Sequence, residues 1–321
     1  MTTGDRAGTE TTEARTERGV GRAAGKVILL GEHAVVYGVP AIAASIERGV
    51  VARATRERRA TLAVDGQQVP EGHELGRALR AVLARLGAPE MRIELELTLP
   101  PGCGLGASAA MGVAVARAVL SALDAPPDDR RVLDAADGWE RVFHGNPSGV
   151  DAAAALGAGC LQFTRGDVPR PLVPGRPLRL AVAIAAPPAS TRAMVEGVAQ
   201  LKERRPAVFD KTLEGIRSLV RNAVLCIEAG DLDGLGSLMN YNHMLLSGLM
   251  LSTEGIEKAC ASARAAGALG AKLTGAGGGG CVVALVEDDA GPVLEAWKQD
   301  GFSCFATTVV GGRPASAEVS S

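Results

Sequence analysis

The chain has 321 residues, 47% of them hydrophobic and 22% charged, a profile that excludes a disordered or fibrous protein and makes two domains the default for this length. A formal net charge of −2 with 3% aromatic residues provides neither a basic surface for nucleic acid or an anionic membrane nor many rings for base stacking. The cysteines at 103, 160, 226, 260, 281 and 304 show no paired spacing and read as free thiols of a reducing cytoplasm, and no apolar run is long enough to span a bilayer.

Residues 1–22 are rich in Thr, Glu, Arg and Gly. They are expected to form a disordered tail, lacking both the apolar core of a secretion signal and the acid-poor composition of a transit peptide. Folding is expected from Ala23. A short apolar strand, residues 26–30, opens with Lys26. Gly31, Glu32 and His33 break it, and a second apolar run follows at 40–46. On these residues alone, Lys26 reads either as a site residue or as a solvated strand end, and Glu32 with His33 as either a site or a polar turn. Residues 48–69 predict one or two exposed strands turning at Asp65-Gly66. Leucine and alanine spacing predicts a helix over 74–86 that stops at Gly87. Residues 91–99 alternate Ile93, Leu95, Leu97 and Leu99 with Glu94, Glu96 and Thr98, which is a strand buried on one face.

The next stretch is the most informative. Pro101, Gly102, Cys103, Gly104, Leu105, Gly106, Ala107, Ser108 and Ala109 place glycine at every second position before a small-residue apolar helix, 109–123. Alternate glycines allow tight turns and close approach to backbone N–H groups, and a helix N-terminus leaves such groups unpaired and aimed at an anion. This stretch predicts a triphosphate cradle. Gly102, Gly104 and Ala107 also match a dinucleotide fingerprint, but that motif follows a strand buried on both faces, and this strand alternates. The GxxxxGK[ST] loop, the HRD and DFG motifs of protein kinases, the GxSxG elbow and zinc-ligand spacing are all absent.

A helix over 130–143 carries Glu140, a solvated face in its simplest reading. It leads into the sequence HGNPSGVD (144–151), whose Asp151 reads either as a helix N-cap or as a reacting carboxylate. Four prolines and three arginines over 168–179 mark a linker, dividing the chain into domains of 23–175 and 176–321. The second half predicts a strand at 178–185 and helices at 191–204, 211–229, 232–251 and 253–266. A strand at 271–274 follows, then a loop with five glycines at 275–280, a strand at 281–287, a helix at 292–299 and a strand at 302–310. This mixture points to α+β layers, and so glycine-rich a loop to flexible backbone closing over a ligand.

Three stretches together, GKVILLGEHAVVYG (25–38), PGCGLGASAA (101–110) and KLTGAGGGGC (272–281), resemble the three motifs of the GHMP small-molecule kinases. GEHAVVYG, HGNPSGVD and KLTGAGGGGC resemble its mevalonate kinase branch, as does LMNYNHMLL (238–246). The resemblance spans about residues 23–309. It implies a two-domain α+β fold, with a ribosomal-protein-S5-like N-terminal domain, a ferredoxin-like C-terminal domain and the active site in the cleft between them. It implies ATP with its phosphates on the 101–109 loop, Mg²⁺ held by Ser108 and Glu140, Asp151 beside the reacting hydroxyl and Lys26 close to both. Glu32, His33, Thr274 and Gly275 would help to place the substrate. Phosphoryl transfer needs positioning and charge neutralisation, which a metal, a cation and a donor-rich loop supply; an ammonium near Asp151 would hold that carboxylate ionised.

The activity implied is phosphorylation of the primary (C5) hydroxyl of mevalonate in isoprenoid synthesis. The alternatives are a phosphomevalonate or sugar kinase of the same superfamily and a non-catalytic nucleotide-binding regulator. Relatives are often dimers, so a homodimer is the assembly implied. Three positions depart from the pattern: Ala24 replaces a proline, Ala107 replaces the first of two serines, and Met111 stands where an aromatic often sits.

Overall fold

The computed structural model describes residues 19–309, apart from positions 101, 127, 146, 158 and 188. Pro101, residues 1–18 of the expected tail and the last residue of the expected 302–310 strand therefore lie outside the described residues.

Chain folding starts earlier than composition suggests. Strand β1 (Gly19–Leu30) begins four residues inside the stretch assigned to the tail and pairs antiparallel with β2 (Ala41–Arg56) from Gly19↔Ala54 onward. The reason is steric. A Cβ on Gly19 would stand 2.1 Å from Ala118 O, and one on Gly21 2.1 Å from Ala114 O, so β1 lies directly on the backbone of helix α2 introduced below. Glycine here marks close packing, although it resembles tail composition. The apolar run at 40–46 and the first part of the stretch read as exposed strands at 48–69 share one 16-residue strand, because β2 continues through a bulge opposite Ala24 and Gly25. Its second part is not simply exposed: Val50, Ala52 and Ala54 are buried.

β3 (Thr61–Val64), β4 (Gln67–Gln68), helix α1 (Glu74–Leu86) and β5 (Met91–Leu97) follow, with β5 on the second edge of β2. Helices α2 (Ala107–Ala122), α3 (Asp129–His144) and α4 (Val150–Ala155) come next. β6 (Cys160–Phe163) and β7 (Arg170–Leu172) complete a seven-stranded sheet of order β4-β3-β5-β2-β6-β7, with β1 paired to β2. β7 sits inside the stretch read as linker. Its Pro171 is tolerated because β7 is an edge strand with only β6 as partner. Alanines and valines make α2 apolar all round, and the helix is buried accordingly, against β1, β2, α1 and α3.

The second sheet begins six residues after Leu172 with β8 (Leu178–Ala186). Helices α5 (Thr191–Arg204), α6 (Pro206–Ala229), α7 (Leu232–Gly248) and α8 (Glu254–Ala265) precede β9 (Gly270–Thr274) and β10 (Gly280–Val286). Helix α9 (Gly291–Gln299) and β11 (Ser303–Val309) close it, giving an antiparallel order β11-β8-β10-β9. α+β layering in two halves is thus observed. The halves meet where β9 approaches β1: Thr274 Oγ1 accepts from Ile28 N at 2.8 Å and donates to Ile28 O at 3.2 Å. No helix among the described residues is long and apolar enough to cross a membrane.

Candidate active site

Gly102, Gly104 and Gly106 have φ of 73°, 77° and 75°. All three occupy the left-handed region, where a side chain is disfavoured. Gly106 ends this run as the N-cap of α2 with no side-chain cap bond, so the first N–H groups of the helix stay available to an anion, reinforced by the helix dipole. Cys103 and Leu105 face inward and are buried. The loop is a backbone cradle held by its odd-numbered side chains.

Lys26 closes one side of this cradle. Its backbone N donates to Leu105 O at 2.9 Å, and its Nζ donates to Gly104 O at 2.8 Å and pairs with Asp151 Oδ1 at 3.2 Å. At 2% exposure it is no solvated strand end. Gly106 explains how so long a side chain fits, since a Cβ there would stand 2.8 Å from Lys26 Cγ. Asp151 is the second residue of α4, whose N-cap is Gly149; the capping reading is therefore excluded by position. Its side chain is 36% exposed, open to a small molecule.

Ser108, in the first turn of α2, donates from Oγ to Glu140 Oε1 at 2.5 Å. Glu140 lies on α3 at 6% exposure, so it is not on a solvated face. Burial pushes its carboxyl up to about 7, against the Ser108 hydrogen bond, with Asp151 adding to the rise and Lys26 opposing it. A hydroxyl beside a buried carboxylate is a donor set that fits Mg²⁺, which takes few protein oxygens and keeps waters and phosphate oxygens as its other ligands. Ala107 and Ala109 flank Ser108, leaving it the loop's single side-chain hydroxyl.

The remaining expected residues divide into two groups. His33, at φ 59°, donates from Nε2 to Ala276 O at 2.8 Å, and burial holds its imidazole below the ordinary value, hence neutral. Thr274 is buried on Ile28, and Gly275 approaches the first loop so closely that a Cβ would stand 3.2 Å from Gly104 O. Glu32 is not free to meet a ligand. It is 1% exposed, with its carboxylate on Lys272 Nζ and its Oε2 accepting from Asn242 Nδ2 at 3.0 Å. Sequence reasoning missed Lys272 and Asn242, which lie more than 200 positions from Glu32 along the chain.

The second glycine loop departs from expectation. Its glycines at 275, 277, 278, 279 and 280 all have positive φ, yet the loop is packed rather than loose. Gly278 N donates to Leu251 O at 2.7 Å, and a Cβ on Gly279 would stand 2.0 Å from Pro187 O. Absence of side chains here lets two backbone loops touch.

A cavity of about 500 Å³ opens beside Asp151 and Glu140. Gly149 and Ala152 of the α4 turn line one side, and Thr191, Arg192, Val195 and Glu196 of α5 the other. Asp137, Asp167 and Glu196 add to its acidic walls, while Arg192 and His144 are its basic side chains.

Similarity to known proteins identifies the family of the chain. The family described as "GHMP kinases N terminal domain" matches residues 73–159, and "GHMP kinases C terminal" matches residues 223–303. The chain is 35% identical to a mevalonate kinase of Aeropyrum pernix over 284 residues, covering 83% of this chain and 88% of that protein. It is 31% identical to one of Thermococcus gammatolerans, covering 92% and 94%. Among solved structures it is similar to L. major mevalonate kinase in complex with R-mevalonate, with TM-score 0.84 and 30% identity, covering 94% of this chain and 99% of that one. A glycine cradle, a lysine–aspartate pair beside it and the family matches over both halves lead to one conclusion: the chain belongs to the GHMP kinases, in their mevalonate kinase family.

Proposed function

We propose that this protein transfers the γ-phosphoryl group of ATP to the primary (C5) hydroxyl of mevalonate, giving 5-phosphomevalonate. The observation that carries the reading is the Lys26–Asp151 pair, 3.2 Å apart, with Lys26 also bonded to Gly104 of the cradle. One Asp151 oxygen rests on Lys26, and the other is left to accept the proton of an alcohol as its oxygen attacks phosphorus. Lys26 draws that carboxylate toward the cradle and supplies positive charge where the phosphoryl oxygens gather charge.

The N–H groups of residues 107–109 and the loop from Gly102 to Gly106 would bind the phosphates. Ser108 and Glu140 would hold Mg²⁺, which neutralises charge on the transferring group. His33, fixed on Ala276 O through its Nε2–H and kept neutral, offers Nδ1 as an acceptor for a substrate hydroxyl, and Thr274 and Gly275 hold the second loop against the first.

The relatives at 31–35% identity are mevalonate kinases, which supports mevalonate over phosphomevalonate as substrate; Lys26, Asp151 and Glu140 are all in place, which speaks against a non-catalytic regulator. Placement in the cytoplasm and homodimer assembly belong to the same proposal. An ADP-release assay with mevalonate, phosphomevalonate and a panel of sugars tests it. Turnover with mevalonate is expected; turnover with a sugar and none with mevalonate would overturn it.

A further inference from the structure

Beneath the site lies a charged cluster that takes no part in the reaction described. Lys272, in the middle of β9, is 0% exposed. Its ammonium has three protons to place, and all three find oxygen: the Glu32 carboxylate, Leu273 O at 2.5 Å and Ile28 O at 3.4 Å. Each Glu32 oxygen has a partner, the second being Asn242, which is itself 0% exposed. Burial pulls the Lys272 ammonium toward its neutral form, and the facing Glu32 opposes that. Such a pair is a poor device for stability alone, because apolar residues of similar volume commonly replace buried ion pairs at no loss. Its position suggests what else it does. Glu32 is followed at once by His33, whose left-handed backbone (φ 59°) opens the short 3₁₀ turn Ala34–Tyr37. A non-glycine residue holds that conformation only where its surroundings over-determine it.

We propose that Lys272 is a positioning residue: by anchoring Glu32 from β9, it fixes the Glu32–His33 turn and so sets the place of the His33 ring against the second glycine loop. Two anchors on consecutive residues define the turn. Glu32 points inward to Lys272 and Asn242, and His33 points to Ala276 O at 2.8 Å. Both anchors come from the second half of the chain, while the turn belongs to the first. Ile28 O, which Lys272 also holds, lies two residues from Lys26 on the same strand, so the cluster ties the reacting lysine's strand to the same frame. Releasing Glu32 lets His33 return to ordinary backbone geometry and leave Ala276 O. The assignment to the substrate side rests on the function proposed above; the assignment of the turn does not.

The test uses the full-length protein with Lys272→Met and Glu32→Gln combined, which removes both charges and leaves no lone buried ion. The ¹H–¹³C signal of the His33 ring, identified by its loss in His33→Gln, reports the turn directly. We expect that signal to move and broaden while the melting temperature stays close to wild type. With it, KM for mevalonate should rise about tenfold or more and KM for ATP change less than about twofold. Glu32→Gln alone, which keeps the shape and an acceptor for Asn242 and weakens the contact with Lys272, should move the same signal in the same direction by less; it decides the matter if the paired variant does not fold. An unmoved His33 signal overturns the proposal whatever the kinetics, as does a mevalonate KM equal to wild type. If the wild-type protein turns over no mevalonate, the proposed function fails, and the His33 signal still judges the role of Lys272.

Discussion

Replacing Glu140 by glutamine removes a buried titrating group while keeping its shape and a partner for Ser108. In the folded, metal-free protein burial raises the Glu140 carboxyl to about 7 from an ordinary 4.5. The folded state thus binds more protons than the unfolded chain between those values. Stability from this group is fully present below about 4.5 and is lost as pH rises through about 7. At 1.36 kcal/mol for each pH unit between the two values, the loss amounts to about 3 kcal/mol, undiminished by solvent because the side chain is nearly fully buried. Glutamine does not titrate and brings no such pH dependence. Urea unfolding of both proteins with chelator present, at pH 4.5 and pH 8, should show the difference shifting toward the variant by about 3 kcal/mol. Adding Mg²⁺ and ATP should restabilise the wild type at pH 8 more than the variant, since binding to the folded state adds to its stability. Stability differences that stay parallel across this range would refute the assignment of Glu140 as a desolvated carboxylate awaiting a cation.

Gly106→Ala places a Cβ at φ 75° and 2.8 Å from Lys26 Cγ; we expect a loss of about 1–2 kcal/mol in stability from the backbone alone, together with a fall in kcat as Lys26 is displaced, read by denaturation and steady-state kinetics. Gly21→Ala sets a Cβ 2.1 Å from Ala114 O, where only backbone could yield. It should cost about 3 kcal/mol or more, seen as a lower urea midpoint, while a wild-type midpoint would show that β1 does not lie on α2 as described.

Local chemistry made much of the site legible. The cradle glycines announce themselves because no other residue tolerates three successive left-handed turns at alternate positions, and a glycine loop feeding a helix is an anion site on general grounds. Lys26, Glu140 and Asp151 each read more readily as structural or solvated residues on their own stretches, and motif context decides among the readings; burial and the Lys26–Asp151 distance supply the physical reason. What stayed hidden depends on residues distant in sequence. Lys272 reads as an ordinary strand lysine until β9 is placed beside β1. Gly19 and Gly21 look like tail until α2 is seen to need a bare backbone against it. β7 looks like linker because its proline is acceptable only at an edge, and edges are a property of the finished sheet. The second glycine loop reads as flexible in the sequence for a related reason: small residues signal either freedom or tight contact, and only the neighbours tell which.

Most of the proposed chemistry rests on Asp151 as the group that takes the alcohol proton. The direct measurement is turnover by Asp151→Asn, alongside nucleotide binding to the same protein. We expect kcat to fall by about 10²–10⁴-fold, the range for a lost general base, while ATP binds with wild-type affinity to the intact cradle and magnesium ligands. A variant that keeps a near-normal kcat would contradict the account and leave Asp151 as a structural partner of Lys26.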